Sequence, residues 1–463
     1  MADWLVETPD ETATPLIART EKDLDEWLAQ QSPIVADWVA GSGFKAKPAT
    51  HCLIPDGHGK PVSALCGVDP AQLLWSWAGL RASLPHGIYR FDSEISSIQC
   101  QKDPESAALG WALGGYRFSR YQRDKGSDFP QMVWPQPCDR ARVRRLAEAI
   151  FLIRDLINTP ANELGPAELA NAIETVAKRF NADVKQTIGD DLLESGYPAI
   201  HAVGHGSPRA PRLIDLTWGE ADAPLITLVG KGVCFDTGGL DIKPAAAMKL
   251  MKKDMGGAAH ALGLAMAIMD AQLPVRLRLL IPAVENSVSG NALRPQDVIS
   301  TRKGLSVEIG NTDAEGRLIL ADALAEAASQ KPRFIIDFAT LTGAARVALG
   351  PSLPALFCNR NELAEDLLHH GEAVQDPVWR MPLFDAYRKL IDGKIADLNN
   401  APEVPFAGAI TAALFLEAFV EPEVAWAHMD IMAWNLETQP GRPEGGEAMG
   451  VRAAYAMIAT KFS

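Results

Sequence analysis

The sequence predicts an α/β protein: a smaller N-terminal α/β domain, then a larger C-terminal domain with a mixed, largely parallel sheet flanked by helices. Three observations predict it. The 463 residues are too many for one ordinary hydrophobic core. A proline-rich stretch and a long amphipathic helix separate two halves of different texture. Beyond residue 224, short apolar runs alternate with helical patterns, the order that yields a parallel sheet covered on both faces. The predicted division is residues 1–137, a linking helix over 138–160, and 161–463.

In the first segment "DLDEWLAQQ" and "DPAQLLWSWAGLRASL" read as helices, and "HCLIP" and "HGIYRF" as short strands. "DFPQMVWPQPCD", residues 128–139, reads as a linker because its prolines interrupt any regular pattern. "RARVRRLAEAIFLIRDLIN", 140–158, has apolar residues at helical spacing and five arginines. Arginines on such a helix are more often solvated or paired with acids than part of a nucleic-acid face. "NTPANELGP" then breaks the helix. The alternation follows: strands at 224–230, 276–284, 333–339 and 424–431, and helices at 256–271, 317–330, 410–420 and from about 446. The helix at 256–271 is rich in glycine and alanine and must pack closely.

Composition narrows the function. Hydrophobic content of 47% and charged content of 22% describe a globular chain, not a disordered one. A net charge of -14 repels phosphate backbones, so a nucleic-acid partner is not expected. Cys52, Cys66, Cys100, Cys138, Cys234 and Cys358 are scattered without a C-x-x-C pair, as expected for reduced thiols in a cytoplasmic protein. The N-terminal segment has no apolar leader-like run, and no stretch of about 18 apolar residues occurs, so no membrane partner is expected.

In doubly covered sheets, chemistry collects in loops beyond the strand C-termini. The strand at 224–230 runs into "GKGVCFDTGGLDIKPAAAMKLMKKDMGG", which holds Lys231, Asp236, Lys243 and Asp254 among glycines. It is no phosphate loop, because G-x-x-x-x-G-K-[ST] is missing. "NTDAEGRLIL", 311–320, adds Asp313, Glu315 and Arg317. Acids of this kind can simply start a helix. In an extended segment, however, residues two apart point the same way, so Asp313 and Glu315 converge if "NTDAE" is not helical and the helix starts near Gly316. Four ionised carboxylates in one pocket repel unless cations neutralise them, and oxygen-rich donors suit Zn²⁺, Mn²⁺ or Mg²⁺. His260 lies on the following helix among Ala and Gly, and reads as a packed or surface residue rather than a ligand.

"VGKGVCFDTGGLDIKP", "MKKDMGGAAHALG", "GNALRPQDVI", "NTDAEGRLIL" and "DFATLTGAA" resemble the leucyl aminopeptidases of the M17 peptidase family over roughly 150–463. The resemblance implies two divalent ions per subunit, with Zn²⁺, Mn²⁺ or Mg²⁺ accepted. Lys231, Asp236, Asp254 and Glu315 would form the tight site. Asp236, Asp313 and Glu315 would form the exchangeable one. Lys243 would stabilise the oxyanion, and Arg317 would hold a bicarbonate that acts as base. Met251, Thr340, Leu341 and Gly343 would bound the substrate's first side chain and backbone. The implied substrates are small peptides with a free N-terminus, with leucine as the implied first residue of choice, and the implied assembly is a homohexamer. Three other readings compete: a DNA-binding regulator of the same family, a catalytically dead relative, and a two-metal phosphatase. The acidic charge weighs against the first, the intact set of mapped residues against the second, and Lys231 against the third.

Overall fold

The computed structural model describes residues 4–7, 13–92, 103–123 and 129–462. Cys100 and Asp128, which begins the proline-rich stretch, lie outside them. The chain divides into two compact units. One comprises residues 1–151 with 437–444, the other 152–436 with 445–463.

The first unit has strands β1 (Leu5–Val6), β2 (Thr14–Arg19), β3 (His51–Pro55), β4 (Pro61–Gly67), β5 (Ile88–Phe91) and β6 (Gln131–Val133). They form one sheet in the order β1-β6-β5-β2-β4-β3, parallel except for the β3–β4 pair. β6 corrects the expectation of a plain linker over 128–139. Three residues between Pro130 and Pro135 suffice to pair with both β1 and β5, and Met132 turns inward with no exposed surface. "DLDEWLAQQ" gives only the short helix Leu24–Leu28, while helices Leu73–Ser83 and Pro104–Gly114 cover the sheet core at Trp77 and Trp111. A side chain at Gly110 or Gly114 would collide with the carbonyls of Leu74 and Ala78, so these glycines let the two helices approach closely.

The second unit contains β7 (Asp183–Ile188), β8 (Arg212–Trp218), β9 (Leu225–Gly230), β10 (Gly232–Asp236), β11 (Arg276–Asn286), β12 (Val298–Ser300), β13 (Ser306–Glu308), β14 (Phe334–Ala339), β15 (Ala355–Cys358), β16 (Trp379–Arg380), β17 (Leu398–Asn399) and β18 (Trp426–Asp430). The large sheet runs β16-β15-β18-β14-β9-β11-β8-β7, with β10 paired to β11. Its centre, β11-β9-β14-β18, is parallel, and antiparallel pairs flank it. The sheet is therefore mixed, as the sequence predicts. β14 and β18 are buried at every residue, the signature of strands covered on both faces. Helices Gly256–Asp270, Glu315–Ser329, Gly408–Glu417 and Val451–Phe462 match the predicted ones within a few residues, apart from a later start to the last.

The long helix Arg140–Asn158 is as predicted. Arg140 pairs with Glu7, Arg142 with Glu105, and the fully buried Arg154 with Glu447 at 2.9 Å. Arg140 and Arg144 also lie over the Trp134 ring. These arginines have partners within the chain, which is the structural alternative to a nucleic-acid face. No described helix is long and apolar enough to cross a membrane.

Candidate metal centre and catalytic groups

Two glycines bring three backbone segments together at the C-terminal ends of the parallel strands. A Cβ on Gly230 would sit 2.6 Å from the Gly257 carbonyl, and one on Gly257 would collide with the Phe338 carbonyl. Without side chains there, the end of β9, the end of β14 and the start of helix Gly256–Asp270 lie against one another. The Lys231 amide donates to the Phe338 carbonyl at 3.0 Å, and the Ala258 amide donates to the Lys231 carbonyl at 2.8 Å.

Lys231 then extends inward from the loop after β9. Its Nζ lies 2.7 Å from Asp254 Oδ2 and 2.9 Å from Glu315 Oε1, and donates to the Thr340 carbonyl at 3.1 Å. Asp254 is held in the short 3-10 segment Met251–Met255, ahead of the glycine-rich helix. Glu315 is the first residue of its own helix, where the N-terminal dipole favours a carboxylate. Ala314 caps that helix, so "NTDA" is non-helical, but Glu315 already begins the helix, one residue earlier than expected, and its carboxylate still converges with that of Asp313. Gly316 leaves the room that Lys231 fills, because a Cβ there would lie 2.4 Å from Lys231 Cε and 2.7 Å from its Nζ.

The other half of the cluster gathers around Lys243, whose Nζ is 2.7 Å from Asp236 Oδ2 and also contacts Asp313. Asp236 ends β10 opposite Asn286. Asn286 Nδ2 donates to Asp236 Oδ1 at 2.9 Å and to the Thr312 carbonyl at 3.1 Å, joining the two acidic loops. Thr312 completes the joint by donating from Oγ1 to the Gly238 carbonyl, at 2.6 Å.

Carboxylate oxygens of Asp236, Asp313 and Glu315 lie within 4.8 Å of one another. Among the described residues, Glu315 Oε2 is buried without a hydrogen-bond partner, and Asp254 Oδ2 and Asp313 Oδ1 meet lysine ammoniums without hydrogen-bond geometry. Burial, reinforced by the Asp236 charge, raises the Glu315 carboxyl to about 8. Burial, reinforced by Asp254, raises Asp236 to about 6. Burial acts the same way on Asp254, but Lys231 outweighs it and its carboxyl falls below the usual range. So many close acids with open lone pairs fit divalent cations, whose charge would remove this repulsion.

Arg317 is buried two residues into the helix. Nη1 donates to the Asn400 carbonyl at 2.6 Å, while Nε has no partner among the described residues. Burial lowers its guanidinium to about 10. Asn400 in turn accepts from the Gly310 amide at 2.8 Å and donates to the Asn311 carbonyl at 2.8 Å, bracing the loop before Asp313.

Among the residues expected around the substrate, Thr340 has its hydroxyl committed: Oγ1 donates to Asp254 Oδ1 at 2.7 Å. Asp430, at the end of β18, accepts the Leu341 and Thr342 amides at 3.1 Å each and the Thr342 hydroxyl at 2.6 Å. Met251 is nearly buried beside Asp254, and Gly343 opens the helix Gly343–Leu349 at the surface. His260 is packed rather than placed among the acids. Its ring accepts the Met449 amide on Nε2 at 2.9 Å, which leaves Nδ1–H to donate to the Gly256 carbonyl at 2.6 Å. Sequence reasoning missed Asn286, Asn400 and Asp430. Asn286 and Asp430 end strands, the one signal that marked the acids themselves.

The profile described as "Cytosol aminopeptidase family, catalytic domain" matches residues 151–455, and "M17 aminopeptidase, N-terminal domain" matches 14–135. A probable cytosol aminopeptidase of Syntrophotalea carbinolica is 42% identical, the alignment covering 96% of this chain and 93% of that protein. The crystal structure of the cytosol aminopeptidase from Coxiella burnetii superimposes with a TM-score of 0.95 at 49% identity, over 100% of both chains. The bottromycin maturation enzyme BotP, in complex with Mn, gives a TM-score of 0.87 at 32% identity, covering 98% of this chain and 100% of that one. With both of its segments and its whole fold accounted for in this way, the chain belongs to the cytosol aminopeptidase family and is a peptidase, a hydrolase.

Proposed function

We propose that this protein is a two-metal-ion aminopeptidase that removes the N-terminal residue from small peptides. The observation that carries the reading is the convergence of Asp236, Asp313 and Glu315 on one point, with Lys231, Lys243 and Asp254 against them. Lys231, Asp236, Asp254 and Glu315 would hold one ion, and Asp236, Asp313 and Glu315 the other. When bound, the ions (Zn²⁺, Mn²⁺ or Mg²⁺) supply an activated water and a Lewis acid for the scissile carbonyl. Lys231 must be neutral to serve as a ligand. Its ammonium is stabilised here by Asp254 and Glu315, against the pull of burial, and nearby dications would reverse that balance.

The chain's own groups supply the rest. Lys243 is a fixed cation beside Asp236 and Asp313, suited to charge that develops on the carbonyl oxygen. Arg317, with Nε open, suits a planar oxyanion through parallel hydrogen bonds, so a bicarbonate can be held there to accept the proton. Asp430 orients the Leu341–Thr342 backbone, which would position the peptide, and Thr340 acts through Asp254. Family membership supports the further expectations of a homohexamer and a cytoplasmic location. The test is hydrolysis of leucine p-nitroanilide by Mn²⁺-loaded protein beside the same compound with its amine acetylated. Cleavage of the free-amine compound alone, lost on chelation, is expected. Cleavage of both would end the reading that the free amine is recognised.

A further inference from the structure

Asn400 is fully buried, one residue beyond β17, and its side-chain amide is satisfied on both sides. Oδ1 accepts the Gly310 and Asn311 amides, at 2.8 and 3.2 Å. Nδ2 donates to the Asn311 and Ala314 carbonyls, at 2.8 and 3.3 Å. Two donors facing the oxygen and two acceptors facing the nitrogen fix which way the group points. An aspartate there would set its charge against two carbonyls, and a leucine would leave all four backbone groups unpaired. Those groups belong to the turn 310–314, which presents Asp313. Asn311 passes the hold along, because its own Oδ1 accepts the Asp313 amide at 2.8 Å. The approach is close: a side chain on Gly310 would collide with Asn399 Oδ1.

The backbone of the same residue faces the other catalytic group. Its carbonyl accepts Arg317 Nη1 at 2.6 Å, and its amide donates to the Glu308 carbonyl at 3.1 Å. One buried residue is therefore bonded both to the turn that carries Asp313 and to the guanidinium of Arg317. The Lys231 half of the cluster is held by other bonds. Lys231 meets Asp254, Glu315 and the Thr340 carbonyl, and Asp254 accepts the Thr340 hydroxyl. A base works only within hydrogen-bond reach of the proton it takes, so the relation between Asp313 and Arg317 bears on rate.

Resting on the two-metal reading above, we propose that Asn400 is a positioning residue that keeps the exchangeable ion's ligand Asp313 and the oxyanion at Arg317 in one fixed relation, while the tight ion is held independently of it. The experiment uses the full-length protein and two readouts: calorimetric titration with Mn²⁺, and the bicarbonate concentration that gives half-maximal hydrolysis of leucine p-nitroanilide. Asn400→Ala should bind the second ion about tenfold more weakly, with the first unchanged, and should need about tenfold more bicarbonate. Ser306→Ala is the control. Ser306 Oγ donates to Asp397 Oδ2 at 2.7 Å and accepts the Asp397 amide at 3.0 Å, so its loss loosens the same β13–β17 pair without touching Asp313 or Arg317. It should move neither readout. Asn400→Ser, whose hydroxyl can keep part of the bonding, should move both by less, and it keeps the test valid if the alanine variant fails to fold. Equal shifts in Ser306→Ala, a shift in only one readout, or none in either Asn400 variant overturns the positioning role and leaves the aminopeptidase standing. An unaltered protein that binds no second ion, or ignores bicarbonate, overturns the reading beneath it and this role together.

Discussion

The two lysine-centred halves of the acidic cluster are built differently. Around Lys231 everything is buried: Asp254, Glu315 and the Thr340 carbonyl meet its ammonium, and Gly316 leaves just enough room for it. Around Lys243 the walls are looser. The Asp313 side chain is 33% exposed against 3% for Asp236, and the loop from Gly238 to Asp241 has few tertiary anchors beyond Thr312. A buried, multiply bonded half holds its geometry whether or not a ligand is present. A half-exposed carboxylate can exchange its partner with solvent. On the proposed two-ion reading, the difference would make one ion tight and the other exchangeable without requiring different ligand types.

The sharpest way to break that comparison is to neutralise one acid in each half. Glu315→Gln removes an acid common to both ion sets. It should cost about a thousandfold in kcat and drop the bound metal, measured by mass spectrometry, toward zero. Asp313→Asn should leave one ion bound and lose less activity. Equal losses of both ions in the two variants would end the distinction. Next comes Gly316→Ala. The added methyl must displace Lys231, so a drop of about a hundredfold in activity is expected in a protein that still unfolds cooperatively. Unchanged activity would mean that Lys231 can rest elsewhere.

A third prediction concerns pH. Metal competes with protons for Asp236, raised to about 6, and for Glu315, raised to about 8. Ion affinity should therefore rise between pH 6 and 8, by about tenfold per unit for each proton displaced, that of Lys231 among them. Calorimetric affinities that stay flat across that interval would contradict it.

A fourth effect, on stability rather than activity, lies at His260. Its folded pKa is pushed down from 6.5 to about 4, first by burial. The neutral ring accepts the Met449 amide, so its contribution is present above pH 6.5 and is lost as pH falls toward 4. Protonation should cost about 3 kcal/mol of stability. The urea midpoint should fall over that interval by less in His260→Gln than in the unaltered protein.

What the sequence made legible follows from how each feature is encoded. β9, β11, β14 and β18 stood out because continuous apolar runs are what doubly covered strands require. β6 and β16, three and two residues long, are too short to carry a period, and they form only because neighbours offer free edges. The direction of β15 against β18 leaves no mark on composition. In the cluster, the acids and lysines were visible as polar residues after apolar strands. Asn286 and Asn400 were not, since their meaning lies in bonds to segments 26 and 89 positions away. Thr340 was expected beside the substrate, yet its hydroxyl is spent on Asp254.

The wiring of Asp430 and Thr340 bears on how such a protein diversifies over generations. Residues that hold the acids and the Leu341–Thr342 backbone each serve two or more partners, so a change in any of them is punished at several places. Mutation therefore falls more lightly on positions that carry no such shared bonds, while the hydrolytic machinery is inherited intact.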